Sequence, residues 1–235
     1  NDSTQLNLML NVTDTLRELL PPTKQIIQQE WKGEISEADF LFEGALGLRA
    51  LGVVLEDNEG VIVDNFSLRG NSGMVLAQLD SSRCREWNQI RPYDLIVLQY
   101  GLNVASDSVL NYGWYGAHMV KVINHLQCCF PESDLLLLSV SDRSRQTERG
   151  IETMPAVLAL LYAQRQIARR TGIPFWNMFG AMGGENSMVN YVKNNWASKD
   201  YTHLSFRGGG KIAEAFLKAL LVEKEYYDEM EKIYK

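Results

Sequence analysis

Pro92-Tyr-Asp-Leu-Ile-Val-Leu-Gln-Tyr-Gly-Leu-Asn103 is the stretch on which the fold turns. Its apolar residues run without alternation, which is how a strand buried on both faces of a parallel sheet reads. In an open α/β sheet, ligands bind outside the carboxyl ends of the strands, and Gly101 and Asn103 fall at that end.

Downstream the chain alternates as such a sheet requires. A helix is predicted from about Tyr112 to Gln127, then a strand Asp134 to Ser139, then a helix from about Met154 to Arg170 stopped by Gly172. Ile173-Pro-Phe-Trp176 reads as a short strand, and a helix from about Gly208 to Tyr227 closes the chain. Connections of this length imply parallel strands and right-handed crossovers. Upstream, Val61-Ile-Val63 reads as another strand, leading into Asn65-Phe-Ser-Leu-Arg-Gly70. Gly70 and Asn103 are therefore expected at one crevice. A glycine presents its backbone N–H unobstructed and an asparagine presents a side-chain N–H, the two kinds of donor an oxyanion hole needs. Asp200-Tyr-Thr-His203 adds a base: an acid three residues before a histidine can turn back onto imidazole Nδ1 and leave Nε2 free. Alone, that spacing is more often an incidental surface loop; beside the other two blocks it gains weight.

These blocks, in this order and spacing, resemble the SGNH (GDSL-like) hydrolases, from about Gly60 to the C-terminus. The resemblance implies an α/β, three-layer flavodoxin-like domain with Gly70 and Asn103 as oxyanion donors, His203 as general base and Asp200 as its orienting partner. Val104 departs from the Asp that many members carry after the asparagine. The larger departure is the first block, since Gly-Asp-Ser occurs nowhere in the chain. Asn1-Asp-Ser3 is the nearest text but has no strand before it. Ser72 lies in the glycine block, lacks the glycine that a nucleophile elbow needs at Met74, and reads as a helix cap. The nucleophilic serine is expected upstream of residue 1, in an N-terminal fragment of the same protein.

Short, partly alternating segments precede the glycine block: Leu6 to Asn11, Lys24 to Trp31, Asp39 to Phe42 and Leu48 to Leu55, with Pro21-Pro22 and Asp57-Asn-Glu-Gly60 between them. Residues 1–57 are expected to be a β-rich segment and 58–235 the SGNH-like domain lacking its first block. A bacterial subgroup of the family carries a β-sandwich between the serine and glycine blocks, and residues 1–57 resemble its later part. A small β cap or an oligomerisation element is the alternative.

The resemblance implies a serine ester hydrolase, a carbohydrate O-acetylesterase, acting on a carbohydrate or small-molecule ester without a cofactor, in a periplasmic or extracellular setting. A non-catalytic carbohydrate-binding protein on the same scaffold is the alternative. In Gly183-Gly-Glu-Asn-Ser-Met188, Asn186 and Ser187 read equally as substrate-side hydrogen-bonding groups or as a turn and helix cap. Trp114, Tyr115, Trp176 and Trp196 can stack on sugars but are more often core.

Composition narrows the rest. A net charge of -6 and a pI near 5.2 argue against nucleic acid as a partner. No apolar run approaches the roughly 18 residues of a membrane span. His118 and His125 lie two helical turns apart with no third ligand, so no metal site is expected. Asp142-Arg143 reads as a crevice residue pair or an ordinary loop ion pair. Cys84, Cys128 and Cys129 read as small buried thiols; a disulfide from Cys84 to one of the adjacent pair stays open, because sequence sets no distance.

Overall fold

The structure, a computed structural model, describes residues 3–12, 14–44, 46–57, 59–67 and 70–234. The chain divides into two compact units, residues 1–67 and 68–235. Asn1 and Asp2 of the Asn-Asp-Ser text lie outside the described residues.

The first unit holds one antiparallel sheet in the order β2-β1-β3: β1 is Thr4–Leu10, β2 Asp14–Leu20 and β3 Ala38–Glu43. Thr4, Leu6 and Leu8 alternate inward along β1, as the two-residue period of a strand dictates. Leu8 pairs with Leu16 on one side and Phe40 on the other. Trp31 lies across Phe40, with ring centroids 6.0 Å apart, and donates its indole N–H to Glu18 at 3.1 Å. Lys24 to Trp31 is thus not a strand, because Trp31 covers the sheet instead of extending it. Leu48 to Leu55 and Val61 to Val63 also form no strand. Val61 is 92% and Val63 83% exposed, so an apolar run that finds no neighbouring ladder stays extended without pairing.

The second unit is α/β. A 3₁₀ turn, Met74–Gln78, precedes α1 (Ser81–Ile90), whose first N–H groups are capped by the Asp80 carboxylate. Next come β4 (Leu95–Gln99), a 3₁₀ turn Leu102–Val104, α2 (Gly113–Cys129) and β5 (Asp134–Leu138). A hairpin, β6 (Ser144–Thr147) and β7 (Gly150–Thr153), leads to α3 (Pro155–Thr171), β8 (Phe175–Trp176) and α4 (Met178–Ala181). Then come α5 (Ser187–Lys193) and α6 (Phe206–Tyr234). The strands are parallel in the order β4-β5-β8.

Alternation along these strands divides two cores. Leu98, Leu135 and Leu137 face α2 and α3, and Phe175 packs with them. Trp176, one residue on, belongs to the opposite cluster with Met178, Met188, Tyr191 and Ile212, and stacks on Phe216 of α6 at 4.9 Å. The sheet therefore has helices on both faces. Sequence places α2, α3, β5 and β8 within a few residues of their observed limits. Helix α6 begins two residues before the expected Gly208, because the Ser205 hydroxyl accepts the Gly208 N–H at 3.3 Å as a cap. It runs on past Tyr227 through a stretch with no glycine or proline to stop it.

Candidate active site

The glycine block and the asparagine block meet directly. Asn103 donates from Nδ2 to the Asn71 carbonyl at 2.9 Å, tying the turn after β4 to the loop that carries Gly70. Gly70 sits in that loop at φ +76, exposed, with open space where a Cβ would be. The loop is then held from within. The Asn71 side chain accepts the Gly73 N–H at 2.7 Å, and buried Tyr115 donates its hydroxyl to the Ser72 carbonyl at 3.3 Å. Burial pushes the Tyr115 phenol above its usual pKa, aided by Tyr100 nearby, so the donor stays protonated. Gly73, at φ +86, lies so close to Tyr100 that a Cβ would sit 2.7 Å from its ring carbon Cγ. Ser72 caps no α-helix: its Oγ only reaches the Met74 N–H at 3.5 Å, and Asp80 is the residue that caps α1.

Gln164 of α3 is the hidden fixture of this end of the sheet. It is 1% exposed, donates to the Tyr100 carbonyl at 2.8 Å and accepts the Val140 N–H at 2.8 Å. One side chain thus closes the backbone groups just past β4 and β5, with Gly101 at φ +117 leaving room for it. Nothing local in the sequence marks this glutamine, since both partners are far along the chain.

The Asp200-Tyr-Thr-His203 turn has the anticipated geometry. His203 Nδ1 lies 2.7 Å from Asp200 Oδ2. Asp200 Oδ1 accepts from the Ser198 hydroxyl at 2.7 Å and from the N–H groups of Thr202 and His203 at 2.9 and 3.1 Å. The His203 bond, with these others, holds the Asp200 carboxyl well below the usual carboxylate range. An ionised Asp200 makes Nδ1 the protonated nitrogen and leaves Nε2 with its lone pair. The His203 side chain is 79% exposed, and no hydroxyl among the described residues is bonded to its Nε2. The turn is anchored to the start of β6 by the Ser144 N–H, which donates to the Tyr201 carbonyl at 3.0 Å. Asn103 thus sits past the carboxyl end of β4 with the Gly70 loop bonded to its turn, and the Asp200–His203 turn is held separately, by β6.

Asn186 and Ser187 make the contacts of a turn and a helix start. Asn186, at φ +62, exchanges two bonds with Thr153: its N–H donates to Thr153 Oγ1 at 2.7 Å and its Oδ1 accepts the Thr153 N–H at 2.9 Å. Ser187 is buried, and its hydroxyl donates to Asp142 at 3.4 Å. Asp142 is fully buried, not a loop ion-pair partner of Arg143. It accepts the Thr153 hydroxyl and the Met188 N–H, each at 2.8 Å. Of the aromatic candidates, Tyr115 is core, Trp176 and Trp196 pack on Phe216 and Tyr191, and Trp114 is about half exposed. His118 and His125 bond backbone carbonyls of Trp114 and Leu79, each at 2.8 Å. Among the described residues no group of His, Cys, Asp and Glu is arranged for a metal, and no helix is long and apolar enough to cross a membrane.

Three solved structures match the chain to different degrees. A peptidoglycan O-acetylesterase matches at a TM-score of 0.57 and 23% identity, over 66% of this chain and 45% of that one. An alpha/beta hydrolase from the metagenome of Lake Arreo matches at 0.44 and 19%, over 64% and 68% of the two chains. A candidate GDSL-like lipase from Parabacteroides merdae matches at 0.42 and 14%, over 60% and 68%. The last two are too distant to carry weight. The first shows the fold alone: the chain shares the α/β architecture of that acetylesterase. The match spans less than half the length of that acetylesterase. No family model and no curated protein matches the sequence.

Proposed function

We propose that the chain is the base-bearing and oxyanion-bearing part of a serine ester hydrolase that removes O-acetyl groups from a carbohydrate, outside the cytoplasm. The observation that carries this reading is the 2.7 Å Asp200–His203 bond, which leaves Nε2 exposed; the Asn103–Asn71 bond that ties the Asn103 turn to the Gly70 loop supports it. A serine hydroxyl attacks the ester carbonyl carbon and passes its proton to His203 Nε2. Asp200 stays ionised and stabilises the imidazolium. The tetrahedral oxyanion is held by the Gly70 N–H, the Asn103 Nδ2 hydrogen not used by Asn71, and the serine's own N–H. Collapse expels the sugar alcohol, protonated by His203, and water repeats the sequence on the acyl-enzyme. Asn186 and Ser187 serve the substrate side by shaping the turn beside this crevice.

The serine is assigned to an N-terminal part of the same protein, on a strand that pairs with β4. The outer edge of β4 has no partner among the described residues, and Leu95 and Val97 on its open face are each 40% exposed, unusual for apolar positions in a parallel sheet.

Intact mass and N-terminal sequencing of the protein as naturally produced, followed by acetate-release assays on an aryl acetate, acetylated xylan and O-acetylated peptidoglycan, test this. Saturable release, including from the sugar acetates, that depends on an upstream serine and vanishes in His203→Ala is the expected result. Tight binding of the acetylated glycans without release would replace the enzyme by a carbohydrate-binding protein.

A further inference from the structure

Helix α3 carries a charged face that the proposed chemistry does not use. From Pro155 to Thr171 it holds three arginines and no acid, in a chain with 29 acidic residues and a net charge of -6. At about 100° per residue, Arg165, Arg169, Tyr162, Gln166 and Arg170 fall within one arc of roughly 140°. Val157, Leu160, Gln164 and Ile167, on the other side, are buried, while the arginines are exposed. A solvated helix face ordinarily mixes signs, with acids and bases paired at i, i+4. Here no carboxylate among the described residues pairs with Arg165, Arg169 or Arg170. The helix dipole gives a reason for cations in the last turn, which covers Arg169 and Arg170. Arg165, a turn earlier, lies beyond its reach. Two grooves flank the face. One, of about 460 Å³, has Tyr162, Gln166 and Arg170 on one wall and residues 110–113, where the chain enters α2, on the other. The second, of about 500 Å³, is bounded by Arg165, Arg169, Ile173 and Phe175. In the first groove, buried Tyr112 accepts the Ser106 N–H at 3.2 Å, which bonds that wall to the loop three residues past Asn103.

We propose that this face of α3 binds an acidic polysaccharide, with sugar carboxylates on the three arginines and a sugar ring on Tyr162. The inference rests on the reading of the substrate as a carbohydrate ester and narrows it to a glycan that carries charged sugars. All three cations are arginine, whose planar guanidinium meets a carboxylate at two points where a lysine offers one. The Tyr162 side chain, on a residue 67% exposed, presents a flat ring on which the C–H face of a sugar can lie. Gln166, one turn from Tyr162 and one from Arg170, supplies both a donor and an acceptor for hydroxyl groups. The arginines are divided between two grooves, an arrangement suited to carboxylates repeated along a chain and not to one small anion.

The test is titration calorimetry of the intact chain with oligogalacturonate, with its fully methyl-esterified form, and with polyglutamate of equal charge. Expected is saturable binding of oligogalacturonate, roughly tenfold or more tighter than that of either control, which weakens about tenfold as salt rises from about 50 to about 200 mM. The triple variant Arg165→Gln, Arg169→Gln, Arg170→Gln should weaken binding roughly tenfold or more, and Tyr162→Ala about threefold. Both should melt within about 2 °C of the wild type, since the altered side chains are exposed. Absence of binding, equal affinity for the methyl ester, or an undiminished affinity in the triple variant would overturn the assignment. Equal affinity for polyglutamate would overturn it too, in favour of a surface for acidic peptides. Acetate release enters none of these readouts. A protein that binds oligogalacturonate and releases no acetate keeps this site and loses the esterase reading; one that releases acetate and binds no oligogalacturonate does the reverse.

Discussion

At the scale of single residues, the Asp-x-x-His unit was legible because its geometry is local. A carboxylate three residues ahead can cap the turn with one oxygen and orient the ring with the other, and here it does both. Asp200 is held below its ordinary range near 3.8, chiefly by the His203 bond. A carboxylate depressed in the folded state contributes stability that is present above the unfolded value and lost as pH falls through the folded one. The melting-temperature gap between wild type and Asp200→Asn should therefore persist from neutral to weakly acid pH and close below about pH 4. Since the pair is exposed, the gap should be small, about 1–2 °C. Asn103 is the sharper probe. In the serine-bearing protein, Asn103→Ala should lower kcat by roughly 100- to 1,000-fold with little change in KM. A wild-type kcat would remove Asn103 from the oxyanion hole. Gln164 and Asp142 were not legible, because each is defined by partners far along the chain.

At the scale of elements, strands and helices that find their partners inside the second unit were readable from apolar runs and stop signals. Proline opens α3 and Gly172, at φ +72, ends it. Val61 to Val63 has the composition of a strand and still forms none, since a strand exists only by pairing, and composition cannot say whether a ladder is within reach. The start of α6 was displaced for a different reason, a serine cap whose bond spans three residues. That cap works only because the helix comes down onto the Trp196 carbonyl with no side chain between. A Cβ on Gly208 would lie 1.8 Å from that oxygen. Gly208→Ala should cost about 3 kcal/mol or more, read from urea denaturation, because the obstruction is backbone and cannot rotate away. Gly209→Ala, which meets open space, should be neutral or slightly stabilising.

At the scale of the whole molecule, two elements of the second unit present exposed apolar side chains. Leu95 and Val97 lie open on β4, and Phe206, Leu217 and Leu221 on α6 are exposed at 100%, 57% and 50%. Phe206, Leu217 and Leu221 recur at spacings that bring them to one side of the helix. Open strand edges and apolar helix stripes drive association. The 235-residue chain should self-associate as concentration rises, measured by sedimentation velocity, and Val97→Lys with Leu217→Glu should hold it monomeric without loss of folding. A chain that stays monomeric at high concentration would show these surfaces to be inert.

The openness of His203 has a kinetic consequence of its own. An imidazole with a lone pair on Nε2, backed by a carboxylate and bathed in water, is a competent small-molecule catalyst for activated aryl esters, with or without a serine nearby. Slow, non-saturating turnover of such reporters is the background this polypeptide sets by itself. Saturation kinetics and cleavage of unactivated sugar acetates, which free imidazole leaves intact, are therefore the signals that separate an assembled enzyme from a solvent-exposed buffer group.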